Sequence, residues 1–263
     1  MSEAAAPAMD IRLMNATAAA LAGVFVLLGL VSAARWVARL PGFDIQRITV
    51  RGEVAHNNIP SMRANVLPRM RGTFFTVNLT AIRESYESMP WVRKAVVRRE
   101  FPNRLRVELQ EHQPVAYWGA EGDSRMLNSF AEVFDANIDE VEPNTLPRLA
   151  GPAGSGPQVW DMYQTLLAPL NRVGMELVQV ELSARGNWRI GLESGARLEL
   201  GGSDKAAVLQ RTERFLQTLP TVAQRYGRNA GSLEFADLRY EQAYALRLRG
   251  VTTLTTLTMV KPK

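Results

Sequence analysis

The sequence predicts an α+β protein on a single N-terminal transmembrane helix, with a compact β-α-α-β-β domain followed by a mostly antiparallel β domain with flanking helices. Three observations predict this. Residues 13–34 contain no charged side chain. Beyond Arg35, the apolar residues switch between a period of two and one of about 3.6, as strands and amphipathic helices of a water-soluble body do. In the second half, turn chemistry separates three short strand candidates, which implies an antiparallel meander.

The uncharged run is about 22 residues, and at ~1.5 Å per residue a helix of that length crosses the ~30 Å hydrocarbon core. Backbone in lipid must satisfy its own hydrogen bonds, which selects helix. Arg35, Trp36 and Arg39 follow, where a basic and aromatic belt meets the headgroups. Two other readings compete with an anchor. In a cleaved secretory signal, Val31, Ser32 and Ala33 would suit a peptidase, but the leader carries Glu3 and Asp10 against Arg12. A buried core helix would need a large protein around all its faces. Loop charge mildly opposes a cytoplasmic N-terminus, because Arg35, Arg39, Arg47 and Arg51 follow the span, although large domains are exported with little regard to charge.

After the anchor, Phe43, Ile45, Ile48 and Val50 predict a strand closed by Arg51-Gly52. Asn57 and Asn58 can cap a helix carrying Ile59, Met62, Val66, Leu67 and Met70, which Pro68 should end or kink. Asn78 or Thr80 starts a second helix with Leu79, Ile82, Tyr86 and Met89 on one face, stopped by Pro90. A hairpin follows over residues 91–110. Its second arm alternates Leu105, Val107 and Leu109 with Arg104, Arg106 and Glu108, so one face is wet and helices cover the other.

The second region opens with a strand at PVAYWG, and Pro157 then begins a helix with Val159, Trp160, Tyr163, Leu166, Leu167 and Leu170. Strands are predicted over 177–182, 188–192 and 196–200. Ser203 or Asp204 caps a helix carrying Ala207, Leu209, Phe215 and Leu219. A long last strand is expected over about 233–248, with Leu238, Tyr240, Gln242, Tyr244, Leu246 and Leu248 on one face and Arg239, Glu241, Ala243, Ala245, Arg247 and Arg249 on the other. Leu233 and Phe235 have the opposite parity, which a bulge near Ala236-Asp237 would reconcile. With no onward element to cover it, this strand is expected to be an edge open to another chain.

Several chemistries lack residues. The chain has no cysteine, which excludes disulfides, thiolate nucleophiles and zinc-thiolate sites. Its two histidines, His56 and His112, are far apart in sequence and read as solvated loop residues. GGSDK lacks the spacing that cradles a phosphate and reads as a turn with a helix cap. GPAGSGP has prolines where a nucleophile elbow needs a strand-to-helix turn. Asp139, Glu140 and Glu142 read as a solvated loop, and Arg98, Arg99, Arg104 and Arg106 as a wet sheet face. The expectation is therefore no enzyme, cofactor or metal site. The net charge of +5 comes from dispersed arginines, which suit a membrane surface or an acidic partner as well as nucleic acid.

The strings FDIQRITVRGE, PWVRKAVVRREFPNRLRVELQEHQPVAYW, LPRLAGPAGS, NWRIGLESGARLELG and FADLRYEQAYALRL, in this order, resemble the bacterial FtsQ/DivIB cell division family, in its proteobacterial FtsQ branch. The resemblance implies a cytoplasmic N-terminus over 1–12, a transmembrane helix over 13–36, a polypeptide-transport-associated (POTRA) domain over 43–112, a β domain over 113–250 and a tail over 251–263. It further implies a single-pass inner-membrane protein, periplasmic in bulk and enriched at the septum. Its role would be a non-enzymatic divisome scaffold that binds the periplasmic segments of FtsB and FtsL, links early to late division proteins and binds no nucleic acid.

In that family the partner adds a strand to the last β strand, which places contact here at Arg239, Tyr240, Gln242, Ala243, Tyr244, Leu246, Arg247 and Leu248. Arg185 matches a family arginine that meets an acidic partner side chain, and Arg47 a basic position tied to partner contact. Gln242 and Ala243 replace small Ser and Gly residues of the usual pattern, and Leu248 stands where tryptophan is common. The alternative is a POTRA-containing protein of outer-membrane transport or assembly, which appends a barrel of many alternating strands; no such tract is present in the sequence.

Overall fold

The computed structural model describes residues 9–52, 54–56, 59–142, 146–202, 204–240 and 242–252. The chain divides into two compact units, Met1–Glu111 and His112–Lys263. In the first, helix α1 (Met9–Val37) takes up the whole uncharged run. Its stretch Leu13–Val37 has 25 residues and a mean hydropathy of 2.2, and none of its apolar window is buried by protein. At ~1.5 Å per residue it is long enough to cross the hydrocarbon with some tilt.

Strand β1 (Arg47–Gly52), helices α2 (Ile59–Val66) and α3 (Leu79–Glu87), and strands β2 (Val92–Glu100) and β3 (Arg104–Glu111) complete this unit. The sheet order is β1-β3-β2, with β1 parallel and β2 antiparallel to the central β3. Leu105, Val107 and Leu109 of β3 are buried and share one core with Met62 and Val66 of α2 and Ile82 and Tyr86 of α3. Arg104 and Glu108 on the other parity are exposed, so alternation alone assigned the faces correctly.

The element ends follow local chemistry. The first strand starts at Arg47, later than expected, because Pro41–Phe43 forms a tight 3-10 turn and β1 begins only where pairing with β3 begins. Helix α2 stops before Pro68, and Leu67–Arg69 tighten into a 3-10 turn. Asn78 caps α3 by accepting hydrogen bonds from the Thr80 and Ala81 N–H groups. The caps expected from Asn57, Asn58 and Ser203, and the tail over 253–263, lie outside the described residues. Gly52 ends β1 with φ of 111°, and a Cβ there would lie 2.0 Å from the Leu109 carbonyl oxygen, so no other residue fits.

The histidines are not the solvated loop residues expected. His56 stacks on Trp91 at a ring separation of 3.9 Å, and its Nδ1 lies 3.2 Å from the buried Glu111 carboxylate. The same Glu111 oxygen accepts the N–H groups of Ala55 and His56, pinning the loop after β1 to the end of β3. His112 stacks on Phe134 at 4.1 Å and its Nδ1 meets the Asn128 side chain at 2.8 Å. Both are packing residues whose partners are remote in sequence.

The second unit contains β4 (Pro114–Trp118), β5 (Arg125–Asn128), β6 (Val133–Asp135), β7 (Arg148–Ala150), α4 (Gly156–Arg172), β8 (Leu177–Leu182), β9 (Trp188–Leu192), β10 (Arg197–Gly201), α5 (Lys205–Arg225), β11 (Leu233–Asp237) and β12 (Ala245–Leu248). They form one sheet in the order β12-β11-β10-β9-β8-β7-β4-β5-β6. The predicted meander is β8-β9-β10, and most ladders are antiparallel; β4 with β7, β7 with β8, and β10 with β11 run parallel.

The last two parallel pairs are bridged by α4 and α5. Two antiparallel steps separate β8 from β10, so β7 and β10 point the same way, and both crossovers step in the same direction along the sheet. Crossovers of one hand then place both helices on one face. Accordingly Val159, Met162, Leu166 and Leu170 of α4 and Val208, Phe215 and Leu219 of α5 share a core with Val180, Trp188, Ile190, Leu198 and Leu200. The stripe of α5 begins at Val208; Ala207 and Leu209, expected on it, are only half-buried. Asp204 supplies the cap, accepting from the Ala207 N–H at 2.9 Å.

The long final strand is not continuous. Residues 233–248 form two short antiparallel strands, β11 and β12, with Asp237 opposite Ala245 and Ala236 opposite Leu246. The parity change read as a bulge is a reversal of the chain. Asp237 is the physical reason: it is buried, and its carboxylate accepts from the Arg239 backbone N–H at 3.1 Å and from the Arg239 guanidinium at 2.6 Å. Those bonds turn the backbone out of the strand, which a continuing β strand would not permit.

Candidate partner-binding edge

Strand β12 ends the nine-stranded sheet. It pairs with β11 on one side, and among the described residues no strand pairs with its other side. On alternate residues an edge strand points its N–H and C=O groups outwards, so four residues offer a short hydrogen-bonding template.

Its side chains separate by face. Tyr244, Leu246 and Leu248 pack on the core, as the parity reading expects, whereas Ala245 and Arg247 are exposed. Parity fails at Tyr240 and Gln242, which sit in the turn between the strands and are both exposed, Tyr240 by 62 %. Ala243 also lies in that turn, outside β12, and Glu241 lies outside the described residues. Of the predicted contact residues, only Leu246, Arg247 and Leu248 therefore belong to the edge strand.

The turn is fixed at both ends. The Leu238 N–H donates to the Glu199 carbonyl at 2.8 Å, and the Asp237–Arg239 pair follows. The Arg239 guanidinium beside Asp237 holds its carboxyl below the usual carboxylate range, and the carboxylate in turn pushes Arg239 up. At the far end, the Tyr244 hydroxyl meets Thr218 Oγ1 of α5 at 2.8 Å and its ring meets Phe215 edge-on at 5.1 Å. Gly201 has φ of 78°, and a Cβ there would come 3.1 Å from the Arg239 side chain, so that corner also favours glycine.

Arg185 occupies the turn between β8 and β9, exposed, and lines a shallow depression of about 360 Å³ with Arg239, Arg189, Glu181, Glu199 and Phe235. This is the sheet face that the helices leave bare. Arg189 is committed there, its guanidinium 2.6 Å from Glu199 and 3.2 Å from Glu181, whereas Arg185 makes no hydrogen bond or ion pair among the described residues. Arg185 and Arg239 thus come together although 54 positions apart (239 − 185). Arg47 belongs to the other unit, exposed at the start of β1 on the edge of the three-stranded sheet. No three acidic or histidine side chains converge as metal ligands among the described residues.

Sequence reasoning missed Asp237, Phe235 and Tyr244's bond to Thr218 as parts of this site. An acid two residues before an arginine, Asp237-Leu238-Arg239, was the available signal for the turn.

Comparison with known proteins gives a consistent family. A family model described as "Cell division protein FtsQ/DivIB, C-terminal" matches residues 116–239, and one described as "POTRA domain, FtsQ-type" matches residues 43–112. The first match stops before β12. The chain is 37 % identical over 245 residues to a cell division protein FtsQ of Thiomonas arsenitoxydans, covering 92 % of this chain and 89 % of the relative. It is 36 % identical over 250 residues to the protein of that name in Burkholderia pseudomallei, covering 94 % and 96 %. With the Escherichia coli protein it shares 26 % over 213 residues, covering 80 % and 75 %.

Proposed function

We propose, from the premise that this chain belongs to the FtsQ/DivIB family of cell division proteins, that it is a non-catalytic scaffold of the divisome whose β domain captures a partner strand along β12. The partner is the periplasmic segment of FtsB, held with FtsL, and the scaffold links early to late division proteins at the septum. In this reading α1 crosses the inner membrane once with its N-terminus in the cytoplasm.

The observation that carries the proposal is the outer side of β12 at the end of the sheet, with which no strand pairs among the described residues. Added main-chain bonds supply affinity there, and side chains supply register. Arg185 brings positive charge to the approach, which selects an acidic segment, and the exposed Tyr240 ring adds an apolar contact next to Arg239, whose own charge is paired with Asp237. Arg47 is the corresponding contact of the POTRA domain.

Hydrogen exchange of the full chain, with and without an FtsB–FtsL periplasmic complex, tests it. Protection of amides over 245–248 is the expected result. Protection confined to other strands, such as β6 or β1, overturns the proposed docking mode.

A further inference from the structure

We infer that the aromatic tip of the POTRA domain is a second membrane contact, seating Phe75 and Phe101 in the headgroup layer of the bilayer that α1 crosses. The inference rests on α1 spanning that bilayer and is independent of strand addition at β12.

The tip is tied to the end of the span. Backbone bonds Ala38 to Ala34, Arg39 to Trp36, Leu40 to Val37, Phe43 to Leu40 and Asp44 to Pro41 carry the chain from α1 to the domain as a run of tight turns, with no extended linker. Three bonds then fasten the tip to this stretch. Thr73 Oγ1 donates to the Ala38 carbonyl at 2.5 Å, the Phe74 N–H to the Phe43 carbonyl at 2.7 Å, and the Gln46 N–H to the Asn103 carbonyl at 3.0 Å. Phe75 lies two positions from Thr73, and Phe101 two positions from Asn103. At ~3.8 Å per residue, their Cα atoms stay within about 8 Å of the Cα of a residue bonded to the segment that follows the span. The headgroup layer of one leaflet is itself about 5–8 Å deep.

The tip displays what that layer takes. Phe101 is 77 % and Phe75 48 % exposed, while Phe74 between them is buried. Phe75 meets Phe43 edge-on at 5.0 Å and Phe74 at 5.2 Å, and Phe101 lies 6.3 Å from Phe74, so the rings form one cluster. Arg99 of β2 donates to the Phe74 and Val77 carbonyls at 2.6 and 2.8 Å, fastening the loop that carries Phe75 to the sheet. Exposed Arg39, Arg71 and Arg104 lie within four positions of Phe43, Phe75 and Phe101 in the sequence, as do the acids Asp44 and Glu100. Aromatic rings among arginines, fixed at the mouth of a membrane span, match an interface rich in anionic lipid.

The chain has no cysteine, so single spin labels can be placed cleanly. Full-length Phe75→Cys, Phe101→Cys and, at an exposed position of β2, Lys94→Cys are labelled in nanodiscs of phosphatidylethanolamine and phosphatidylglycerol. Labels at 75 and 101 should collide several-fold less with a water-soluble nickel chelate than the label at 94, and more with oxygen. Unlabelled Phe75→Ser/Phe101→Ser should bind an FtsB–FtsL complex as before, while a label at Asn103→Cys beside the altered tip becomes water-accessible. Labels at 75 and 101 as accessible as that at 94 overturn the inference, as does protection that arises only when a partner protein is added. Failure to enter nanodiscs overturns it through its premise.

Discussion

A pair of proline substitutions in β12 gives the sharpest test of strand capture. In an antiparallel pair, neighbouring residues alternate between bonding the partner strand and facing away from it. Of Ala245 and Leu246, which face Asp237 and Ala236 of β11, one therefore directs its N–H to β11 and the other directs it outwards. Ala245→Pro and Leu246→Pro should separate accordingly. The outward position loses one donor to the partner strand, net about 0.5–1.5 kcal/mol, or about 2- to 12-fold in affinity, and more where the ring obstructs approach. The inward position loses a bond to β11 and lowers the stability of the β domain by a similar amount or more. Leu246→Ala serves as control, because Leu246 packs on the core and its proline variant also loses those methyl groups. Titration of an FtsB–FtsL complex against full-length protein in detergent, with urea denaturation alongside, reads both effects. If neither proline weakens binding beyond its effect on stability, the edge is not the docking element.

The remaining predictions concern the charged groups beside that edge. Arg185→Glu should weaken binding about fivefold, ~1 kcal/mol, at 0.1 M salt, and the loss should fade at 1 M, where the screening length falls to ~3 Å; a salt-independent loss would mean that Arg185 acts through packing. Asp237→Asn should destabilise the β11–β12 turn in a pH-dependent way. Because the folded carboxyl titrates below its ordinary value, its contribution is present above the unfolded value of ~3.9 and is lost as pH falls through the lowered folded one. Urea midpoints of wild type and variant should therefore differ at pH 7 and draw together as pH falls below ~3.9, and a constant gap would show that the ion pair is not the cause.

What the sequence determined by itself is whatever short-range chemistry encodes. The uncharged run of α1, the Asn78 and Asp204 caps, the Gly52 stop and the in-out alternation of Leu105, Val107 and Leu109 are each read within a few residues of where they act. Tertiary structure decided what depends on residues distant in the chain. Strands β5, β6 and β7 are three or four residues long, too short to show a period, and exist because neighbours supply their hydrogen bonds. Likewise His56 finds Glu111 across 55 positions. The edge itself divides along the same line: alternation fixed the inward faces of Tyr244, Leu246 and Leu248, but only the bond from Arg239 to a buried Asp237 turned one long strand into two and left β12 at the margin of the sheet. Side-chain period is a local property of the backbone, whereas which strand ends a sheet depends on where every other strand has paired.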